Sequence, residues 1–308
     1  MVKRKGMMDI NKYLSGNKVS EIRVGQSGAN VYEINGNRIL KHVQRNMLKN
    51  DMFDTYKKEA LFYQSKMNTS SVYLPEILNV ELSDNEIIIL MKKYAPLERS
   101  NSDVELQKII NTLVFIHNDK IPEFLKKTRK EPLDKERVDY CLSGWKSVLN
   151  EHQNAFDEEA LNPIAEKINE IINWHNNEDS VLIHGDFHWD NLLKTDDGKI
   201  CVCDWQNVDI GGASEDLSFF MSRLGADGIE LELDKMLSMY TNAVKEISGK
   251  VINPENIKKH IAAANVITTF EFWHEFLHGN PEDRVKGIFD KLINDYQMIE
   301  NLFFSTNS

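Results

Sequence analysis

Hydrophobic positions near the amino terminus recur in short extended stretches that are separated by turns. The stretches at 21–24, 31–34 and 39–43 are joined by small or polar residues. The pair Asn35-Gly36 favours a tight hairpin, because both residues tolerate positive φ. This part of the sequence therefore predicts an antiparallel β-meander of three strands.

Apolar residues recur at helical spacing over 51–67 and predict one principal helix after the meander. A break at Leu74-Pro75 then precedes two more extended stretches, at 80–82 and 86–91, joined by a polar turn. Five strands and one helix are thus expected before residue 94.

The remainder of the chain has mainly helical patterning. Helices are predicted at 104–117, at 162–174 with Asn162-Pro163 as N-cap and first-turn residues, at 228–248, and at 254–278, closed by a glycine. The helical pattern breaks once, at 181–205, where a strand, a polar loop and a hairpin are expected. The prediction is an α+β, bilobal fold, with a lobe of strands and one helix at 1–93 and a mainly helical lobe at 94–308.

Composition is that of a globular protein outside the membrane. Hydrophobic residues make up 41% and charged residues 28% of the 308 positions, and no apolar run reaches the roughly 20 residues that a spanning helix needs. The first residues lack the apolar stretch of a secretory signal, and the three cysteines fit a reducing compartment. We therefore expect a cytoplasmic protein, as a monomer or weak dimer.

The formal net charge of −11 bears on the choice of partner. Binding to a nucleic-acid backbone depends on clustered Lys and Arg, so nucleic acid is not an expected partner. Excess negative charge favours a cationic substrate, although it also serves solubility alone.

The strongest chemical signal is the polar loop at 184–191, which reads His-Gly-Asp-Phe-His-Trp-Asp-Asn. Asp186 and Asn191 lie five positions apart in it, and Asp204 ends the hairpin that follows. Mg²⁺ prefers oxygen ligands, and an acceptor hydroxyl needs a carboxylate to take its proton. This grouping of three oxygen-bearing side chains is what phosphoryl transfer requires.

Residues upstream of the polar loop fit the same chemistry. Lys41, in the third strand, can reach the phosphates of a nucleotide, and Glu59, in the helix, can pair with it. The turn that contains Gly25, Ser27 and Gly28 supplies small residues where backbone N–H groups can approach phosphates. The segment 91–94 is expected to form the hinge, where backbone groups of two residues would bond the adenine edge; these are Lys92 and Tyr94.

Over about 25–220 the chain resembles the superfamily of aminoglycoside phosphotransferases and choline kinases. The family's His-Gly-Asp-x-x-x-x-Asn loop matches residues 184–191, and its Ile-Asp-Trp/Phe motif matches Cys203-Asp204-Trp205. The resemblance implies a protein kinase-like fold, in which 1–93 form the nucleotide-binding lobe and 94–308 the catalytic and substrate-binding helical lobe. It also implies a small-molecule kinase that uses ATP or GTP with Mg²⁺. Asp186 would be the base, Asn191 and Asp204 the metal ligands, and three further residues would support the loop; these are His184, His188 and Asp216.

Other activities fit the sequence less well. Only eleven residues separate Asp204 from Asp216, too few for the activation segment of a protein kinase. A dinuclear metallophosphoesterase would need a second Gly-Asp motif and an Asn-His pair. A non-catalytic pseudokinase would lack the base or a metal ligand.

The acceptor is the least determined feature. Glu271 and Glu275 lie one helical turn apart and could face the acceptor together with Asp190, which would favour an aminoglycoside and a role in antibiotic resistance; a solvated helix face is the alternative. A choline or ethanolamine kinase would instead want an aromatic cage. The tryptophans that could form one are Trp189, Trp205 and Trp273.

Overall fold

The protein was analysed as a computed structural model. It describes residues 8–22, 28–48, 52–67, 69, 71–127, 129–152, 155–226, 228–229 and 231–302. Among these residues, none of the helices combines the length and the apolarity that crossing a membrane requires.

A five-stranded antiparallel sheet forms the amino-terminal part, as predicted, in the order β1-β2-β3-β5-β4. The β2–β3 turn contains Asn35 and Gly36, with φ of 53° and 76°, so the expected positive-φ hairpin is present. The strands are β1 (Val19–Ile22), β2 (Asn30–Ile34), β3 (Arg38–Gln44), β4 (Ile77–Leu82) and β5 (Glu86–Lys92).

Helix α2 (Met52–Lys66) lies between β3 and β4 in the chain and contacts both the sheet and the turn that follows Asp204, whereas the single turn α1 (Asn11–Leu14) precedes β1. The buried face of α2 carries aromatic residues at helical spacing, including Phe53, Tyr56 and Phe62. The ring of Phe62 stacks on Trp205 at a centroid distance of 4.3 Å. This contact holds α2 beside the hairpin that carries the predicted metal ligand.

The second lobe is mainly helical. The helix predicted from Asn162 begins there, but Leu161 occupies the N-cap position, because a 3₁₀ turn precedes it. The helix predicted at 254–278 is divided by a π-helical segment, Thr269–Trp273. The helices are α3 (Asp103–His117), α4 (Lys135–Asn150), α5 (Asn162–His175), α6 (Ala213–Ala226), α7 (Leu233–Ser248), α8 (Pro254–Thr268), α9 (His274–Leu277) and α10 (Glu282–Glu300).

Two small antiparallel sheets lie on either side of the polar loop. One pairs β7 with β10, a strand that the sequence analysis did not identify, and the other has the order β6-β8-β9. The polar loop leaves β7 and enters β8, so its ends are fixed in different sheets. The strands are β6 (Ala95–Pro96), β7 (Ser180–Ile183), β8 (Leu192–Lys194), β9 (Ile200–Val202) and β10 (Asp209–Gly212).

Two large hydrophobic clusters support these elements. The first runs from the five-stranded sheet through α2 and α3 to the hairpins, α6 and α7, and the second joins α4, α5, α8 and α10. The polar loop belongs to the first cluster through Phe187 and Trp189. The fold is the expected α+β, bilobal one.

Candidate active site

The polar loop is anchored by one fully buried carboxylate, Asp216, in the first turn of α6. Its oxygens accept hydrogen bonds from the backbone N–H groups of His184 at 2.8 Å and Gly185 at 2.9 Å. His117 lies 3.2 Å away through its Nε2 atom. Burial alone would raise the pKa of Asp216, but the hydrogen bonds that its carboxylate accepts, first that from His117, hold the pKa below its usual value.

His184 links the loop to the following hairpin. Its Nδ1 atom accepts from the Asp186 N–H at 3.2 Å, and its Nε2 atom lies 3.0 Å from the carbonyl oxygen of Cys203. Burial lowers the pKa of this imidazole. A neutral ring with its proton on Nε2 satisfies both bonds, which fixes Asp186 relative to Asp204.

Gly185 meets a steric demand of the loop. Its φ is +76°, and a Cβ atom there would lie 2.4 Å from the carbonyl oxygen of Asn207. A side chain would therefore combine left-handed strain with a backbone clash. The Gly of the motif is required by the turn itself.

Asp186 and Asn191 are in direct contact, as their spacing suggested. The Nδ2 atom of Asn191 donates to the Asp186 carbonyl at 2.9 Å and lies 3.3 Å from its Oδ2 atom. His188 lies beside both, with its Nε2 atom 3.5 Å from the Asp186 carboxylate. Because the amide NH₂ of Asn191 is engaged, its carbonyl oxygen is left to bind a cation.

Lys41 connects the two lobes at this point. Its Nζ atom lies 2.8 Å from Glu59 and 2.9 Å from Asp204. Burial alone would lower the pKa of the ammonium, but the two carboxylates raise it, so Lys41 is charged. The lysine and glutamate that the sequence analysis paired thus meet, and the lysine also contacts the hairpin carboxylate.

Asp204 has a backbone conformation that is uncommon for a non-glycine residue, with φ of 64°. Such strain persists where surrounding contacts impose it, often at functional sites. Burial would raise the pKa of the Asp204 carboxyl, yet the Lys41 ammonium outweighs burial and lowers it. Gln206 also donates to Oδ1, so an ionised oxygen, Oδ2, is left for a cation.

The predicted nucleotide contacts are described in part. Gly25 and Ser27 lie outside the described residues, whereas Gly28 is exposed with φ of +79°. The N–H of Lys92 donates to the carbonyl of Glu76 at 2.9 Å and is therefore engaged within the sheet. The side chains of Lys92 and Tyr94 line a cavity of about 360 Å³ together with the β8–β9 turn.

A family model described as a phosphotransferase enzyme family matches residues 64–244, more than half of the chain. The matched segment includes the polar loop, Asp204 and Asp216. The chain belongs to this phosphotransferase family. Its activity is phosphoryl transfer from a nucleotide to the hydroxyl group of a small molecule.

Solved structures with the same fold include kinases of both kinds that the sequence resembles. ADP-bound aminoglycoside phosphotransferase APH(2'')-Ib has a TM-score of 0.59 and 16% identity, covering 94% of this chain and 96% of its own. A choline/ethanolamine kinase family protein from Mesorhizobium loti has a TM-score of 0.53 and 14% identity, covering 93% of this chain and 90% of its own. Plasmodium vivax ethanolamine kinase has a TM-score of 0.55 and 13% identity, covering 94% of this chain and 83% of its own. No curated protein matches the phosphotransferase significantly by sequence.

The carboxylates predicted to face the acceptor are paired with cations of the phosphotransferase itself. Glu271 is buried, with Lys130 at 2.6 Å, and Glu275 lies 3.6 Å from Arg137. Asp190, on the polar loop, is bound instead by two arginines, Arg99 at 2.7 Å and Arg223 at 3.7 Å. Among the described residues, neither glutamate forms a hydrogen bond or an ion pair with the polar loop.

The tryptophan cage is not formed as the sequence suggested. Trp189 is 2% exposed and donates its indole N–H to the Leu97 carbonyl, and Trp205 is fully buried under Phe62. Trp273 packs at the edge of the second cluster. The first two rings serve the core, because the loop and hairpin need apolar anchors there.

Sequence reasoning missed two residues that contact the site. His117, at the end of α3, is buried, and its Nε2 atom contacts the Asp216 carboxylate that anchors the polar loop. Arg223 approaches Asp190 from α6, with its Nε atom buried and unpartnered. Arg223 lies seven residues after Asp216, and residues seven apart share a helix face. That spacing was the available signal in the sequence.

Proposed function

We propose that the phosphotransferase moves the γ-phosphoryl group of ATP or GTP to an acceptor hydroxyl, with Asp186 as the general base. Lys41, held by Glu59, would contact the nucleotide phosphates. Asn191 and Asp204 would hold Mg²⁺, and their remaining oxygens are of the type that this ion prefers. When bound, Mg²⁺ would neutralise charge on the phosphates.

The observation that carries the proposal is the ion-paired triad of Lys41, Glu59 and Asp204. It ties the sheet, α2 and the hairpin together next to Asp186 and Asn191. A buried ammonium flanked by two carboxylates is costly to assemble, and phosphate binding gives a reason for its presence. The amino-terminal lobe, 1–93, would then bind nucleotide, with Gly25, Ser27 and Gly28 near the phosphates and the backbone of Tyr94 near the base.

Proton transfer would fall to the chain's own side chains. Asp186 is partly exposed, so an acceptor hydroxyl can approach it. Asn191 and the Asp216-anchored backbone fix its direction, and positioning of this kind supplies most of the catalysis in phosphoryl transfer. His184, His188 and Asp216 are proposed as positioning residues.

For the acceptor, we propose an aminoglycoside-type amino sugar. Asp190 and Glu275 keep 51% and 39% of their side chains exposed, and their arginine partners Arg99 and Arg137 are partly exposed as well. His188 also lies 3.6 Å from Asp190. Ammonium groups of a ligand could replace those arginines at little cost, since exposed ion pairs contribute about 0–1 kcal/mol. A choline, ethanolamine or other metabolite kinase is the second candidate, because structures of that kind share the fold.

A coupled assay of ADP and GDP release tests both levels of the proposal. Aminoglycosides, choline, ethanolamine and other hydroxylated metabolites would be screened with each nucleotide. Acceptor-dependent release is expected with amino sugars, and Asp186→Asn should lower kcat at least about 10²-fold with unchanged circular dichroism. Turnover confined to choline or ethanolamine would select the second candidate, and full activity of the variant would remove Asp186 as the base.

A further inference from the structure

Two histidines and a glutamate meet outside the site described above. His175 is the last residue of α5, Glu178 follows in the next turn, and His260 lies in α8. One ligand atom from each lies within 4.8 Å of the other two. Elsewhere in the described ranges no other three His, Cys, Asp or Glu side chains come together in this way. We call these residues the His-Glu-His cluster.

Both imidazoles of the cluster have an unused nitrogen. The Nδ1 atoms of His175 and His260 are buried and have no hydrogen-bond partner among the residues that the structure describes. Leaving a buried polar atom unsatisfied costs about 1–3 kcal/mol. The ring of Trp174 stacks on His260 at 4.0 Å, with 15° between the planes, which fixes the imidazole. These nitrogens are therefore held in place without a protein partner.

Glu178 is oriented from the other side by Ser214, at the start of α6. Its Oε1 atom accepts the Ser214 N–H at 3.0 Å, and its Oε2 atom accepts the Ser214 hydroxyl. The Oε2 atom lies 3.9 Å from Nδ1 of His260. Gly212 makes room for this carboxylate, because a Cβ atom there would lie 1.9 Å from Oε2.

Burial shifts the pKa of all three groups of the cluster. Burial and neighbouring positive charge lower the pKa of His175 to about 4, and burial lowers that of His260 to about 4. Burial raises the pKa of Glu178 to about 7, against the hydrogen bonds from Ser214 that lower it. The loss of solvent therefore shifts all three groups towards their uncharged forms.

We propose that His175, Glu178 and His260 bind a divalent first-row transition metal, Zn²⁺ above all. Two imidazoles and a carboxylate form a known zinc donor set, in which water takes the fourth position. Tetrahedral bonds of about 2.0–2.1 Å place ligand atoms roughly 3.3–3.5 Å apart. The Glu178–His260 pair, at 3.9 Å, and the other two pairs, within 4.8 Å, would each have to shorten to that spacing by side-chain rotation when the metal binds.

The site would be structural and separate from the one proposed for Mg²⁺. It would join the end of α5 to α8 and, through Ser214, to the first turn of α6. Asp216 lies two residues further along the same turn and anchors the polar loop. A metal here would therefore stabilise the element from which the loop is held, whichever acceptor the enzyme uses.

Isothermal titration of the chelator-stripped full chain with Zn²⁺, in excess Mg²⁺ to occupy the other site, tests the proposal. One equivalent is expected in the wild type. Glu178→Gln and His260→Ala should abolish this binding, and Ser214→Ala should weaken it about 10–100-fold, as for a residue that orients a metal ligand. The matched control is His278→Ala, which removes an exposed histidine bound to Glu151 and should leave binding unchanged.

Two further measurements distinguish the loss of a metal ligand from misfolding of a variant. Zn²⁺ should raise the melting temperature of the wild type and of the control, but not that of Glu178→Gln, because a ligand stabilises only the state that binds it. Co²⁺ in place of Zn²⁺ should give the visible absorption of a four-coordinate ion. Should His260→Ala not fold, the near-isosteric Glu178→Gln decides alone. Absence of binding to the wild type, or equal binding to Glu178→Gln, would overturn the proposal.

Discussion

Replacing Asp216 with Asn tests whether one buried carboxylate holds the polar loop in place. The carboxylate accepts from two backbone N–H groups and faces the His117 ring. An Asn amide has one oxygen, so its NH₂ group must oppose at least one of these donors. An unsatisfied buried donor costs about 1–3 kcal/mol, and each remaining bond loses about 1 kcal/mol with the charge.

We therefore expect Asp216→Asn to lower the free energy of unfolding by about 3–5 kcal/mol, the range for breaking a buried ion pair. Urea unfolding followed by tryptophan fluorescence measures this loss. The control is Asp295→Asn, which changes a carboxylate that is also buried but whose pKa burial raises. It pairs with Lys291 alone among the ion pairs of the described residues, so a loss of about 1 kcal/mol or less is expected.

The pH dependence provides an independent check. Because the pKa of Asp216 is lower in the folded protein, its contribution is complete above the unfolded value, about 3.9, and is lost as the pH falls through the folded value. The stability difference between wild type and Asp216→Asn should thus be constant from about pH 7 to pH 5 and shrink below about pH 4. Equal losses in both variants, or a difference that grows in acid, would refute the reasoning.

Two further variants have matched controls in the same chain. Gly185→Ala should lower the free energy of unfolding by more than about 2 kcal/mol and remove most of the activity. Gly198→Ala, at a residue with similar positive φ but open space around it, should lower it by about 1–2 kcal/mol and remain active. Chemical unfolding and initial rates measure both effects. Lys41→Met should lower kcat/KM at least about 10²-fold. Lys58→Met, which removes a partly exposed lysine bound to Asp209, should leave kcat/KM within about threefold of the wild type. Steady-state kinetics at varied nucleotide concentration compares the two variants, and equal rates would contradict the role of Lys41.

The features that the sequence predicted well depend on residues that are close together in the chain. The Asn35-Gly36 hairpin follows from two residues that accept positive φ, and the contact of Asp186 with Asn191 follows from a spacing within one loop. The pairing of Lys41 with Glu59 needed more than spacing, because those residues come together only when α2 packs on the sheet. The order of the elements and the family resemblance supplied that information.

Long-range pairing accounts for most of what the sequence did not predict. Glu271 and Glu275 were predicted to face the acceptor or solvent, and their pairing with Lys130 and Arg137 was not foreseen, because these partners lie more than 130 positions earlier in the chain. Strand β10 was missed because two of its four residues are glycines, which are poor strand formers. The His-Glu-His cluster joins residues 85 positions apart, and no local pattern brings His260 to Glu178.

Magnesium-dependent nucleotide binding tests the central claim most directly. Isothermal titration with ATP and with GTP, each with and without Mg²⁺, should show tighter binding with the metal in the wild type. Asp204→Ala and Asn191→Ala should each remove most of that gain while leaving metal-free binding unchanged. Equal affinity with and without Mg²⁺ in the wild type, or a full metal effect in both variants, would contradict a cation site formed by these side chains.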